Sequence, residues 1–304
     1  MVKEEEMEEV EDEELDEEEV EGEGTSEEEK EEESEEKPEE KPTTPVKSVA
    51  SVGELKSVWK ARTTAKEIRD FVAILKEFVD EAVFNISKEG VKVLASDRAM
   101  VCVADLHLQP SLFDTYAIEE PQSVGLNVEY LLNVLKRANA KDKVQFELWN
   151  NNKFQLTILG EQKREFALPL LDLNEGEIPN IQDLENSFTS KIKLKTDVLK
   201  TACDDSSLIA DSMCIETKMG LFCAESQGDI SSTVLSCEAG NKGLLDMSGT
   251  ARCRYPLEYL TKACKVKVDV VEIQFATDFP TKLTWKVPDK AKLSLVIAPR
   301  VSED

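Results

Sequence analysis

The sequence has little histidine, and its cysteines are not spaced as metal ligands. Only one histidine, His107, occurs in 304 residues, and none of the seven cysteines forms a CxxC pair. A His-dependent triad would have to use that one residue, and structural zinc sites normally need closely spaced Cys or His ligands. We therefore expect no catalytic residue, no metal and no cofactor, and we expect reduced, mostly buried thiols in an intracellular protein.

Long apolar runs are also missing. No stretch of about 18 apolar residues occurs, which argues against a membrane span. The N-terminus, Met1-Val2-Lys3-Glu4-Glu5-Glu6, lacks the apolar segment of a secretory signal. We expect an intracellular protein, in the cytoplasm if it is archaeal and in the nucleus if it is eukaryotic.

Charge is abundant but unevenly distributed. Residues 1–40 contain 25 acidic and 3 basic residues, so they hold −22 of the total charge of −26 and leave −4 for the rest of the chain. Such a segment cannot bury enough apolar surface to offset its chain entropy, so residues 1–52 are predicted to be a disordered acidic tail and linker. The tail serves either solubility or an electrostatic role toward basic partners or DNA; its sequence does not distinguish these.

The remaining sequence contains an internal repeat. Three pairs of landmarks recur at an offset of 129 or 130 residues: Gly90 and Gly220, Tyr130 and Tyr259, Pro169 and Pro299. Repetition at one offset predicts two copies of one domain. Each copy reads as a helix, hairpin-like strands, a second helix and further strands, which indicates an α+β fold.

Four amphipathic helices are predicted, two in each copy. In the first, Ile68, Val72 and Leu75 recur at helical spacing and give one apolar face, and Thr64 with Glu67 forms a possible capping box. Lysine and arginine tend to lie on the opposite faces of these helices. That pattern suits binding of a phosphate backbone without base reading, but outward lysines are equally normal on any amphipathic helix.

Several motifs resemble the sliding clamps of the proliferating cell nuclear antigen family. The resemblance covers about residues 59–301 and includes Phe113-Asp114-Thr115-Tyr116, Leu135-Lys136-Arg137-Ala138, Leu171-Asp172-Leu173, Ile178-Pro179 and Leu295-Val296-Ile297-Ala298-Pro299-Arg300. The family implies two similar clamp domains, with sheets outside and two helices each inside, that assemble into a ring of three chains around duplex DNA. The implied segments are clamp domain 1 at 57–170, an interdomain connecting loop at 171–186 and clamp domain 2 at 187–304.

The resemblance implies a non-enzymatic processivity factor for DNA replication and repair. On that reading, basic residues of the four helices bind DNA without sequence preference, and Asp204 and Asp205 make the third helix contribute least. The expected DNA-binding residues are Lys66, Arg69, Lys76, Lys136, Arg137, Lys141, Lys200, Lys262 and Lys265.

The family also implies an apolar pocket under the connecting loop. DNA polymerase, clamp loader, flap endonuclease and ligase type proteins insert clamp-interacting peptides there as a short helical turn. Two departures from the family pattern are visible: the loop looks a residue or two shorter, and Ser96 replaces a usual Met. The residues carried over to this pocket are Met100, Val101, Val103, Leu173, Ile178, Pro179, Phe279, Pro280, Ile297, Ala298 and Pro299.

Subunits of the family join by pairing edge strands, here about residues 163–168 and 230–236. Three identical chains or a heterotrimer are both consistent with the sequence. Other readings are a checkpoint-type clamp in the DNA damage response, a scaffold that does not bind DNA, and a hydrolase or transferase using paired carboxylates such as Asp204 and Asp205. The last is disfavoured because adjacent helical residues point in different directions and no Gly-rich phosphate loop occurs.

Overall fold

The computed structural model describes residues 55–173, 178 and 181–300. The predicted acidic tail, residues 1–52, lies outside the described residues. The first half of the described chain contains nine strands and two helices, in the order β1 (Ser57–Thr64), α1 (Ala65–Lys76), β2 (Glu81–Ser87), β3 (Gly90–Ser96), β4 (Cys102–Leu108), β5 (Thr115–Ile118), β6 (Gln122–Asn127), α2 (Val128–Leu135), β7 (Lys143–Trp149), β8 (Phe154–Leu159) and β9 (Lys163–Leu168).

A short helical turn, α3 (Ile181–Leu184), precedes the second half. The second half repeats the element order of the first: β10 (Ser190–Lys195), α4 (Thr196–Ser207), β11 (Ser212–Lys218), β12 (Leu221–Gln227), β13 (Ser232–Glu238), β14 (Leu244–Gly249), β15 (Ala251–Pro256), α5 (Leu257–Ala263), β16 (Val270–Phe275), β17 (Thr281–Val287) and β18 (Ala291–Ile297). The predicted α+β fold with two similar domains is confirmed.

The glycines of the repeat lie at equivalent hairpins. Gly90 follows the turn between β2 and β3, and Gly220 lies in the turn between β11 and β12, both with positive φ (121° and 82°). A Cβ on Gly90 would approach the carbonyl oxygen of Leu108 to 2.1 Å. The first landmark therefore recurs because an equivalent turn needs a left-handed backbone in each half.

The strands form three antiparallel sheets. Their orders are β5-β1-β7-β8-β9, β13-β12-β11-β15 and, for the largest, β14-β10-β16-β17-β18-β4-β3-β2-β6. The nine-stranded sheet runs through both halves because β18 pairs with β4. Backbone hydrogen bonds therefore join the two repeats into one continuous sheet.

The helices pack in pairs, α1 with α2 and α4 with α5, through their apolar faces. Ile68, Val72 and Leu75 of α1 are buried, as their spacing predicts. The predicted capping box is wrong: Thr64 is the N-cap but makes no side-chain cap bond, and Glu67 instead pairs with Lys290 of the second half. A long-range ion pair has taken the place of the predicted local hydrogen bonds.

One large core contains the buried faces of all four long helices and alternate residues of the sheets. Along β18, Leu293, Leu295 and Ile297 point into this core. Lys292 and Val296 therefore lie on the opposite side, since successive strand residues alternate. We call the side of the nine-stranded sheet turned away from the main core its outer face.

Candidate functional site

All nine basic residues predicted to bind DNA are accessible on the free faces or ends of the four long helices. Six are exposed and three, Arg69, Lys76 and Lys262, are half-buried. The apolar side of each helix is in the core, so the cationic groups are left on the side that faces away from the sheets.

Four of these residues already have intramolecular partners. Lys76 Nζ lies 2.7 Å from Asp80 and 3.6 Å from Glu129, and the hydrogen bond from Lys76 holds the pKa of Asp80 below its usual value. The other contacts are Lys262 with Glu258 (2.6 Å), Lys265 with Glu77 (2.8 Å), and Arg69 Nη1 donating to the carbonyl oxygen of Ala138 (3.2 Å). The charges of Lys76, Lys262 and Lys265 are partly neutralised by these carboxylates, whereas Arg69 keeps its charge because a carbonyl oxygen is neutral.

The other five are exposed and form no ion pair with any described residue. Four of them belong to the first half, and three cluster at and beyond the end of α2; the five are Lys66, Lys136, Arg137, Lys141 and Lys200. On α4, Asp204 and Asp205 are both exposed beside the core-facing Cys203. The positive potential of the helices is therefore concentrated in the first half, and α4 is the weakest contributor. Dispersed lysines and arginines of this kind bind phosphates electrostatically and carry no base readout.

A second surface lies on the outer face of the nine-stranded sheet, where four strands place one residue each in a row. Lys282 of β17 is opposite Val296 of β18, Val296 is opposite Val103 of β4, and Val103 is opposite Ser96 of β3. We call these four residues the outer row. Of the expected pocket residues the row contains only Val103; Val296 and Lys282 were not predicted.

The helical turn α3 lies on the outer row. Ile181 packs against Val103 and Val296 in a small apolar cluster separate from the main core, and Ile178 and Leu184 pack against its edge. The predicted residues Val103 and Ile178 are therefore brought together. Pro179 lies outside the described residues.

A polar contact continues this surface beyond the apolar cluster. Lys282 Nζ lies 2.5 Å from Glu185 Oε1, just after α3, although only 4% of the Lys282 side chain is exposed. The hydrogen bond from Lys282 lowers the pKa of the Glu185 carboxyl. A nearly buried ammonium needs such a partner, because an unpaired buried charge is strongly destabilising.

Two further predicted segments meet at the end of the β4–β18 pair. The backbone N–H of Ala298 donates to the carbonyl oxygen of Val101 at 2.8 Å, and Pro299 beside it is half-buried. Met100 is 53% exposed and has a φ of 57°. Met100, Val101, Ala298 and Pro299 thus form one small accessible surface.

Phe279, one of the expected pocket residues, packs against another aromatic ring. Phe279 meets Phe188 edge to face, with ring centroids 5.8 Å apart, and the carbonyl oxygen of Phe279 accepts from Tyr255 Oη at 2.9 Å. Phe279 and the following Pro280 are both half-buried. They lie just before β17, which carries Lys282.

Two predicted pocket residues are placed elsewhere. The Ile297 side chain has no exposed surface and belongs to the main core, so its assignment to an accessible pocket is wrong; the outward place is taken by Val296. Leu173 lies beside Gly125 of β6, at the far edge of the nine-stranded sheet. The connecting segment therefore begins three strands away from β4 in the sheet.

The two strands predicted to join subunits are edge strands. β9 ends the five-stranded sheet and β13 ends the four-stranded sheet. Val234 on β13 is 63% exposed, as is unusual for valine in a strand. Each edge strand presents a row of backbone N–H and C=O groups with which a strand of another chain can pair, and such pairing would extend the sheet.

Other chemistry is sparse in the described part of the chain. All seven cysteines are free thiols, and burial raises the pKa of Cys102 to about 12. No group of three or more His, Cys, Asp or Glu side chains among the described residues is arranged to hold a metal ion. Within the same residues, no helix has both the length and the apolar character needed to cross a membrane.

This duplicated fold, with basic helices on one side and sheets on the other, defines the two-domain clamp class. Residues 60–175 match the family model described as the proliferating cell nuclear antigen N-terminal domain. The chain is 35% identical over 243 residues to the DNA polymerase sliding clamp of Thermococcus gammatolerans, covering 79% of this chain and 96% of that one. The chain belongs to the proliferating cell nuclear antigen family of sliding clamps.

Solved structures give the same fold. The proliferating cell nuclear antigen (PCNA) of Thermococcus kodakaraensis superposes with a TM-score of 0.74 at 28% identity, covering 80% of this chain and all of that one. PCNA of A. fulgidus, solved with the C-terminal region of FEN-1 bound, superposes with a TM-score of 0.72 at 23% identity, covering 81% of this chain and all of that one. The latter likeness supports the fold alone.

Proposed function

We propose that this chain is the subunit of a sliding clamp that encircles duplex DNA and tethers DNA polymerase and other replication and repair enzymes. The observation that carries the proposal is the duplicated clamp fold with five exposed basic residues, on the free sides or at the ends of its helices, that form no ion pair with a described residue. Diffuse contacts with phosphates permit sliding, while closure of the ring prevents escape. The protein contributes no catalysis of its own; it raises the effective concentration of a tethered enzyme at its substrate.

Ring closure is proposed to use the two free edges. Strand β9 of one chain would pair with β13 of the next, and repetition of this head-to-tail contact would close a ring of three chains. The ring contains either three copies of this chain or this chain with paralogues. Residues 57–170 and 187–304 form the two clamp domains, and residues 171–186 form the loop that connects them.

DNA binding is assigned to all nine predicted basic residues, with unequal weight. Lys66, Lys136, Arg137, Lys141 and Lys200 contribute most because no described acidic residue neutralises them. Lys76, Lys262 and Lys265 contribute less because each already has an acidic partner within the chain, and Arg69 contributes less because it is half-buried and donates to the carbonyl oxygen of Ala138. The sliding clamps of Thermococcus gammatolerans and Thermococcus kodakaraensis to which the chain is similar are archaeal, and by this likeness we place the protein in the cytoplasm, where chromosomal DNA is replicated in such cells.

Partner binding is assigned to the outer face around the outer row. The candidates are Met100, Val101, Val103, Ile178, Phe279, Pro280, Ala298 and Pro299, with Val296 added because it lies on the outer face and Ile297 removed because it lies in the main core; Val103 and Val296 are themselves buried beneath Ile181. DNA polymerase, clamp loader, flap endonuclease and ligase type proteins would dock clamp-interacting peptides there. Helix-in-groove recognition suits an apolar strip of this kind.

The proposal is tested by primer extension on a long singly primed template. The DNA polymerase and the clamp loader are taken from an organism that has a sliding clamp of this family. The wild-type chain should lengthen the products made per binding event. A triple variant, Lys136→Glu, Arg137→Glu and Lys141→Glu, should lose most of this stimulation while keeping the ring mass in light scattering. The matched control reverses Lys191, Lys193 and Lys286 on strands β10 and β17, and it should keep the stimulation. Equal activity of both triple variants would overturn the assignment.

A further inference from the structure

On the outer face, the surface to which partner binding is assigned is occupied by a segment of this same chain, the helical turn α3. The small apolar cluster of Ile181, Val103 and Val296 is separate from the main core, and all three side chains are less than 9% exposed. The side chains that pack on Val103 and Val296 in this cluster are Ile181, Leu184 and Ile178, all from the connecting segment. The burial of this strip therefore depends on the connecting segment, with Ile181 and Leu184 of α3 as two of its three contacts, rather than on the main core.

The turn α3 and the residue after it contact the outer row at two points. Ile181 and Leu184, three residues apart, lie on the same face of the helical turn and both pack on the cluster. Just beyond the turn, Glu185 pairs with the nearly buried ammonium of Lys282, at the end of the outer row. Apolar anchors at i and i+3 are what a bound helical peptide presents to a hydrophobic groove, so α3 occupies the strip in the way such a peptide would.

The contacts that keep α3 on the outer row are few. Glu185 is about half exposed, α3 has only four residues, and the cluster contains three buried side chains against several dozen in the main core. A segment with few buried apolar contacts opens locally at a small fraction of the cost of global unfolding. The turn is therefore positioned to leave the strip without unfolding either domain.

We propose that α3, Ile181–Leu184, is a built-in cover of the partner site, and that a clamp-interacting peptide binds the outer row by displacing it. The inference rests on the proposed function, since it regulates the same outer-face site. A covered state populated to about 90% raises the apparent Kd of the peptide about tenfold, because only the open fraction binds. Partners then compete with an intramolecular ligand, and weak peptides are rejected.

The test measures the Kd of a fluorescent clamp-interacting peptide, with a short helical turn and aromatic anchors, for the full chain. The double variant Ile181→Ser, Leu184→Ser should bind about tenfold tighter than the wild type. Glu185→Gln should bind tighter by a smaller factor, because it removes only the charged contact. Asn186→Ala, an exposed change in the same segment, is the matched control and should leave the Kd unchanged. Light scattering and thermal melts check that each variant keeps its assembly and fold.

Hydrogen exchange of the α3 backbone distinguishes a cover from a wall of the site. Peptide binding should speed exchange at Ile181–Leu184 if the turn is displaced. Slower exchange there, or a double variant that binds equally or more weakly, would overturn the cover. Val103→Asp tests the site itself: if the peptide binds this variant as well as the wild type, or binds no variant at all, the proposed partner site fails and the cover fails with it.

Discussion

Tyr259 of α5 donates a hydrogen bond from its Oη to Oδ2 of Asp97, 2.6 Å away and 162 positions earlier in the chain. Asp97 lies in the turn between β3 and β4, and its Oδ1 also accepts from the backbone N–H groups of Val101 and Cys102 at 2.8 and 2.7 Å. One carboxylate thus fixes the turn that carries Met100 and ties it to a helix of the other domain. Burial and the bond to Asp97 both raise the pKa of Tyr259.

Removal of this bond is expected to destabilise the junction between the domains. Tyr259→Phe should lower the free energy of unfolding by about 1 kcal/mol, because a hydrogen bond to a charged acceptor is lost at a partly exposed site. Urea unfolding at fixed protein concentration measures the change. Tyr130, at the equivalent position of the first domain, is the matched control, since no described residue pairs with its hydroxyl. A Tyr130→Phe variant with the same loss would contradict the role of the Asp97 contact.

Lysines on the helices should differ in their effect on DNA binding. Lys136→Ala should reduce the slope of log K against log salt by about 0.9 if one phosphate contact is lost. Lys76→Ala should reduce it less, because Asp80 and Glu129 already neutralise much of its charge. Fluorescence anisotropy of a labelled duplex at several salt concentrations gives both slopes. A larger effect at Lys76 than at Lys136 would mean that intramolecular pairing does not decide the contribution.

Alanine substitutions at the neighbouring residues Val296 and Ile297 of β18 should affect different properties, peptide affinity at Val296 and stability at Ile297. Ile297→Ala should cost about 2–4 kcal/mol of stability because it leaves a cavity in the main core. Val296→Ala should cost about 1 kcal/mol and act mainly on peptide affinity, since Val296 packs only in the small outer cluster. Denaturant unfolding together with peptide titration separates the two effects. Loss of peptide binding without loss of stability at Ile297 would show that the inward assignment is wrong.

Acid should weaken the contact that holds the connecting segment. Lys282 lowers the pKa of Glu185 below its usual 4.5, so the contact adds stability above the unfolded-state pKa and loses it as the pH falls through the lower folded-state pKa. The stability difference between the wild type and Glu185→Gln should therefore be present at pH 7 and should be smaller at an acidic pH below the unfolded-state pKa of Glu185. Urea midpoints at both pH values measure it. A difference that grows on acidification would contradict the pairing.

The repeat and most of the helices and strands could be predicted from the sequence. Gly90 and Gly220 recur because an equivalent hairpin turn requires positive φ, and the buried positions of α1 follow its apolar spacing. Two of the ion pairs on the helices, Lys76–Asp80 and Lys262–Glu258, have i,i+4 spacing and were readable signals. The prediction of the DNA-binding surface did not take these two ion pairs into account, so it treated the basic residues as more alike than they are.

The partner surface was less predictable, for two physical reasons. Leu295, Val296 and Ile297 are all apolar, so alternation cannot tell which face of β18 is inward when both faces are covered. The contacts Lys282–Glu185 and Lys265–Glu77 join residues 97 and 188 positions apart, and no local spacing encodes them. Both depend on how the sheet and the connecting segment come together.

The most direct test of the clamp is retention on closed DNA. The chain, loaded by a clamp loader onto a nicked circular plasmid, should remain bound through gel filtration at high salt and should dissociate once a restriction enzyme linearises the plasmid. A ring held by topology predicts this difference, since salt weakens phosphate contacts but does not open the ring. Equal loss from circular and linear DNA would contradict encirclement.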